Sequence, residues 1–544
     1  MNGPFVAHET VTFCSGCNST FNSQGLQGLV PSRCNMAYDL LVFVGRALFQ
    51  RYRTVQEVRI ELVDSNIRIS ASEINYLGRK FITYLAIAHQ QATPRIRDSM
   101  SINGGYILHL DALHDSDAPA LMTGIDSLSK TVLANVKLPS EKADHIIPFL
   151  MQMKTDYGDP LACVRDMSAG IGKAIGTVFP DVFDFICHFH FLRDIGKDYM
   201  EPAYARLRKC LRSHCVSSKL HALAREMKKL LNEQSVKNTT IAEAVLNNDH
   251  GENKELTVLG STYSLTIWVL EGKRCGNGYG FPFDRPLLDF AERILELEQL
   301  MPDLLNLLLN DDESPEKQFI FKLVEQACYV AEDPDLRQAV SELSWRRRIF
   351  DRLRSAMRIA PQGGDKGLND DGTPDAMSTI RQEVVRFRKY LKDSKELTVD
   401  MLSKKMIEQI DKYSDKLFAD PITVDTPSGP KIIYPQRTNN ILEQFFRGLR
   451  RGYRRKTGNN SMHGALQAML ADTPLVKNLD NPDYMEILLD GKESLEKLFA
   501  EQGAINMKRN EKSDTDTDRI LSGFRALIDM PSLPKKMIKI LQAV

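Results

Sequence analysis

The stretch TNNILEQFFRGLRRGYRRKTG, Thr438–Gly458, holds one carboxylate, Glu443, followed by six cations: Arg447, Arg450, Arg451, Arg454, Arg455 and Lys456. Arginine forks match phosphate oxygens two at a time, so a carboxylate among them has two readings. Either it neutralises an exposed basic helix, or it serves metal-assisted chemistry on a polyanion. The second reading needs further acids. Asp111 follows the apolar run of GGYILHLDALHD, and Asp166 follows that of PLACVRDMSAG. Bare carboxylates brought together repel unless a cation lies between them, and hard oxygen ligands favour Mg²⁺ or Mn²⁺. Asp115 and Asp117 lie close by, but Asp111 is preferred because it comes directly after the apolar run.

Such acids must be delivered by ordered elements. ILHLD, PALMTGIDS and KTVLANVKL read as three successive strands separated by turn residues. EKADHIIPFLMQMKTDYG is an amphipathic helix with Ser140 as its expected cap. A strand ending at Asp166, a helix, a strand ending near Cys187 and another helix follow. The order β-β-β-α-β-α-β-α, a meander continued by alternating units, predicts an α/β ribonuclease-H-like core with a mixed sheet. The strands carrying Asp111 and Asp166 are then neighbours. On the helix after Thr438 or Asn439, either of which can cap it, Leu442, Phe445, Phe446, Leu449 and Tyr453 form an apolar face. Glu443, Arg447, Arg450, Arg451 and Arg454 form the adjoining face. On this helix alone, a solvated amphipathic role and a catalytic one are equally compatible with the pattern.

Upstream, Cys14 and Cys17 form a CxxC knuckle, with Cys34 and His8 as candidates to complete a Zn²⁺ site; the alternative is a pair of buried or incidental thiols in a loop. A helix from Thr54, a turn around Asp64–Arg68 and a second helix capped by Ser70 or Ser72 resemble a helix-turn-helix, with Arg79 and Lys80 on the second helix. Packing alone accounts for such a pair equally well. Arg206–Leu231 and Ser344–Pro361 read as basic helices, GKRCGNGYGFPFDRP as a plain loop, and Pro361–Asp375 as a flexible linker. The 544 residues carry equal numbers of basic and acidic side chains, 71 each, so any nucleic-acid binding must come from local asymmetry. No apolar run approaches the ~20 residues of a membrane span, and the N-terminus does not read as a secretion signal. Nine dispersed cysteines suggest reduced thiols.

HLDALHD, CVRDMSAGIGKAI, CHFHFLRDIGKD and TNNILEQFFRGLRR, in this order, resemble the blocks of a DDE transposase of the Mutator-like and related bacterial insertion-sequence group. The resemblance covers roughly residues 100–200 and 430–460. It implies Asp111, Asp166 and Glu443 as a catalytic triad holding two Mg²⁺ or Mn²⁺ ions, with Cys187 and His190 matching a C/D-x-x-H block that supports the site. Without the family, Cys187 and His190 read as a buried thiol and a hydrogen-bonded core histidine. The activity implied is DNA strand cleavage and 3′-hydroxyl strand transfer. Its partners would be terminal inverted repeats and target DNA, bound by a homo-oligomer. Arg447, Arg450, Arg451 and Arg454 would grip phosphates. A non-catalytic DNA-binding descendant and a junction nuclease on the same fold are the alternatives. The expected organisation is a zinc knuckle at 1–36 and a helical DNA-binding domain at 37–98. A catalytic domain follows at 99–200 and 430–475, interrupted by a helical insertion at 201–429, with a helical segment at 476–544. Trp268 and Trp345 fall in the insertion, where either could stack on an unpaired base; ordinary packing is the simpler role. The compartment would be the nucleoid of a bacterium or the nucleus of a eukaryote.

Overall fold

The computed structural model describes residues 3–21, 24–31, 34–247, 254–300, 302, 315–360 and 374–502. The chain forms two compact units. The first comprises residues 1–184, 423–432 and 439–544, and the second 185–422 and 433–438. The expected linker at 361–375 lies almost wholly outside the described residues, as does most of the segment after 476 from residue 503 onward.

The first unit begins with a small hairpin, β1 (Thr12–Phe13) and β2 (Thr20–Phe21). The longer helices that follow are α1 (Tyr38–Gly45), α2 (Val55–Asp64) and α3 (Ala71–Ile102). The expected stops and starts are visible in their caps. Thr54 and Ser70 each accept a hydrogen bond from the backbone of Glu57 and Glu73, and those glutamates bond back to the cap residues. This reciprocal box satisfies two orphan donors at each helix start. Helix α3 runs on to Ile102, and its buried side, Ile74, Phe81, Leu85 and Ala92 among others, belongs to one core with the sheet. Residues 37–98 are therefore part of the same compact unit as the strands.

The sheet is mixed, in the order β5-β4-β3-β6-β7. Its strands are β3 (Ile107–Leu113), β4 (Ala120–Asp126), β5 (Thr131–Leu138), β6 (Ala162–Arg165) and β7 (Phe183–Ile186). β3 runs antiparallel to β4 and parallel to β6, so Leu110 sits opposite Arg165. Helix α4 (Ala143–Tyr157) precedes β6, and α5 (Ala169–Val178) follows it. The expected element order is present, with two corrections. Asp111 lies inside β3, two residues before its end. The N-cap of α4 is Lys142, without a side-chain bond, because Ser140 Oγ is turned to His145 Nδ1 at 3.0 Å.

Side-chain alternation divides β3 between two faces. Leu108 and the neighbouring Gly124 lie against Met153 of α4. His109 meets Asn439 on the other face, and Asp111 shares its parity. A hairpin of β8 (Ile422–Thr426) and β9 (Gly429–Ile433) is the other described pair of strands.

The second unit is helical, from α6 (His188–Ser213) through α7 (Pro334–Ala356). The basic stretch Ser344–Pro361 is largely internal. Arg346 reaches Glu342 and Asp400, Arg347 pairs with Glu292, and Arg354 is buried beside Asp351. Arg285 binds Asp351 through both terminal nitrogens at 2.9 Å. Trp268 stacks under the Arg293 guanidinium, 5.0 Å away, and Trp345 under that of Arg346 at 5.5 Å. Both tryptophans thus have packing roles. The loop 275–285 is closed by Asp284, which accepts from the backbone of Asn277 and Gly280. No helix among the described residues is long and apolar enough to cross a membrane.

Packing between α1 and α3 is testable. A methyl group at Gly45 would come 2.0 Å from the Phe81 ring, which is fully buried. Gly45→Ala should cost about 1–3 kcal/mol by overpacking and lower Tm accordingly. Gly464→Ala, where the added carbon meets nothing within 4 Å, should not. Equal melting of the two variants would contradict this packing.

Candidate active site

Glu443 lies in the first turn of α8 (Asn440–Thr457), whose N-cap residue is Asn439. The expected capping bond is missing because the Asn439 side chain is engaged elsewhere. Its Nδ2 donates to the Leu110 carbonyl at 3.0 Å, leaving Oδ1 to accept from His109 Nδ1 at 2.9 Å. That pattern assigns the proton to Nδ1 of a neutral ring, and burial pushes the His109 pKa down to about 4. The start of α8 is thereby riveted to the two residues of β3 that precede Asp111.

The rest of α8 folds as its sequence predicts. Leu442, Phe446 and Leu449 are buried, Phe445 and Tyr453 pack against the core, and Arg447, Arg450, Arg451 and Arg454 are exposed. Arg450 also donates to the His114 carbonyl at 3.3 Å.

Asp166 follows β6 directly, on a loop held by Arg165. The Arg165 guanidinium binds Asp184 at 2.7 and 2.9 Å and donates to the carbonyls of Asp166 and Ser168. Asp166 Oδ1 accepts from Ser168 N at 2.9 Å. Because Leu110 and Arg165 are register partners, Asp111 and Asp166 emerge from adjacent parallel strands.

The consequence is electrostatic. Burial, then the charges of Asp166, Glu443 and Glu141, push the Asp111 pKa up to about 7, against a single bond from Ala112 N at 2.8 Å that pulls it down. The structure thus brings Asp111, Asp166 and Glu443 into one field. It does not close them into one cage, since among the described residues the three carboxylates do not all lie within 4.8 Å of one another. Like-charged groups around a buried carboxyl are what a cation would relieve. Asp115 and Asp117 have other duties. Asp115 accepts from Met462 N and Ser461 Oγ, and Asp117 is exposed beside His463.

Two neighbours were not expected. His114 Nε2 pairs with Glu141 Oε1, and the Glu141 bond raises the His114 pKa while lowering that of Glu141. Ser168 Oγ donates to the other Glu141 oxygen at 3.3 Å. His114 lies within HLDALHD, so its block was visible, but Glu141 sits in a loop with no motif.

Lys80 and the N-terminal cysteines do not join the site. Lys80 is buried, with its ammonium 5.4 Å from the Tyr76 ring, because that face of α3 turns inward; only Arg79 of the pair is exposed. Cys14 and Cys17 share the turn of the β1–β2 hairpin, where bonds from Ser19 and then Cys14 lower the Cys17 pKa. The Cys34 sulfur accepts from Met36 N at 3.4 Å. Among the described residues no cluster of three ligand atoms includes His8, Cys14, Cys17 or Cys34, so the expected zinc set is not assembled. In the second unit, Cys187 Sγ and a His190 ring nitrogen lie within 4.8 Å of each other, a pair with metal-ligand chemistry. Both are buried, and burial holds the His190 pKa down to about 3, keeping the ring neutral.

Two outcomes check this site. The Asp111 value of about 7 lies above its ordinary 3.8, so the folded chain holds that proton more tightly than the unfolded one. Its stabilising contribution is complete below about pH 4 and is lost as pH rises through about 7. In chelator, Asp111→Asn should melt with wild type near pH 4 and above it near pH 8; Mg²⁺ should raise Tm of wild type alone near pH 8. A Tm difference independent of pH would refute the shared field. Separately, Asn439→Ala leaves His109 and the Leu110 carbonyl without their partner, costing about 1–3 kcal/mol, and should weaken the Mg²⁺-induced rise. No protein-family model and no curated protein matches the chain.

Proposed function

We propose that this protein is a DNA transposase that cleaves DNA strands and transfers the resulting 3′-hydroxyl to a target phosphodiester. One observation carries the reading. Asp111 lies on β3, Asp166 directly follows the adjacent parallel strand β6, and Glu443 heads a helix pinned to β3, all within one unit. The strand order β5-β4-β3-β6-β7 supports a ribonuclease-H-like core, because it places both aspartates at one end of the central strands.

Asp111, Asp166 and Glu443 would hold Mg²⁺ or Mn²⁺, which when bound supplies Lewis acidity toward phosphate and an activated oxygen nucleophile. Asn439 and Arg165 orient the carboxylates. The exposed arginines Arg447, Arg450, Arg451 and Arg454 lie on the same helix as Glu443 and position backbone phosphates, giving salt-dependent affinity without reading sequence. Cys187 and His190 are supporting residues in this reading. Joining two element ends calls for a multimer on DNA.

The open spacing of the three carboxylates favours one competing reading, a DNA-binding protein that no longer cuts. Glu443→Gln separates the two. Strand cleavage in Mg²⁺ by wild type should disappear in the variant, while end binding stays nearly intact. Cleavage by the variant at the wild-type rate sinks the triad, and binding without cleavage by wild type selects the non-catalytic reading.

A further inference from the structure

The side of α8 turned away from Glu443 borders a cavity of about 190 Å³. At 100° per residue, Gln444, Gly448, Phe445, Leu449 and Tyr453 follow one another around the helix, and all five line it. Phe49 and Tyr52 line it as well, with the Tyr52 and Tyr453 rings edge to face at 5.8 Å. A cavity of about 150 Å³ takes up benzene, so this one is the size of a single six-membered ring with substituents.

Its polar groups and charges narrow the occupant. Gln444 and Gln50 offer amides to the edge of a ring, one Gln50 hydrogen being donated to Asp480 Oδ1 at 2.5 Å. Asp480 is also paired with Lys477, so its charge is balanced within the wall. Arg451 and Arg455, both exposed, fall within about 20° of Gln444 around the helix. An incoming ligand therefore meets cations at the rim and aromatic rings inside. Gly448 leaves the mouth open, for a carbon added there would meet nothing within 4 Å.

We propose that this cavity receives one unpaired pyrimidine base of a DNA strand whose phosphates lie on Arg451 and Arg455. The inference rests on the DNA-binding part of the reading above and is independent of catalysis. Aromatic walls accept a base face without regard to sequence, while the rim holds the backbone.

The test compares two single strands of equal length and charge, oligothymidylate and an otherwise identical strand of abasic sites. Wild type should bind the thymidine strand about five- to a hundredfold more tightly, the gain from stacking one base on protein rings. Gly448→Leu blocks the mouth from an exposed helix position. It should bring that ratio close to one and leave the abasic affinity unchanged. Arg451→Ala combined with Arg455→Ala should weaken both strands alike. A ratio near one in wild type overturns the base pocket while DNA binding stands, and so does a ratio that survives Gly448→Leu. No binding of either strand removes the DNA reading itself. A wild-type dimer that Gly448→Leu dissociates, with the ratio unmoved, would assign the cavity to a second copy and overturn the proposal.

Discussion

The candidate site depends on one buried side chain used out of its ordinary role. Asn439 occupies the N-cap position of α8, where an asparagine normally accepts from its own helix. Here it bonds instead to the Leu110 carbonyl and the His109 ring. The helix start loses a local cap and gains attachment to the central strand. Glu443, four residues on, is then tied to the strand that carries Asp111. Since both groups on β3 are buried, breaking the link leaves polar atoms with no water to replace it.

Around that link the unit accepts electrostatic strain. Asp111 holds its proton to about neutral pH because it is buried and because Asp166, Glu443 and Glu141 share its field. Arg165, the buried cation nearest in the chain, is committed to Asp184 and the loop carbonyls, and the arginines of α8 face outward. Like charges gathered around a buried carboxyl are an arrangement that folding alone does not favour. The His114–Glu141 pair stabilises the rim, tying the loop after β3 to the loop before α4.

Much of this was legible in the residues. Apolar runs bounded by turn residues marked the five strands, and Thr54 and the serines Ser70 and Ser72 marked the starts of α2 and α3. The amphipathic period of α8 separated buried leucines from exposed arginines. What was not legible involved parity and distance. Lys80 reads as a surface cation, yet its position on α3 falls on a side that the tertiary packing buries, with its ammonium over the ring of Tyr76 one turn earlier on the same helix. Cys34 has the right chemistry for the knuckle, but among the described residues it enters no three-ligand cluster, and its sulfur accepts from Met36 N. Ser140 has the right identity to cap α4, but a histidine one turn in competes for its hydroxyl.

By itself the sequence determined the elements and the chemical types available: which stretches are strands, which helix face is apolar, and that acids and arginines share α8. Those properties follow from local periodicity and backbone preference, which act over a few residues. Tertiary structure alone decided which acids feel one another, that Asn439 serves the sheet and not its helix, and that a ring-sized cavity opens beside the arginine stripe. Each joins groups hundreds of positions apart in the chain, and each arises from burial, which turns weak long-range coincidences into strong interactions.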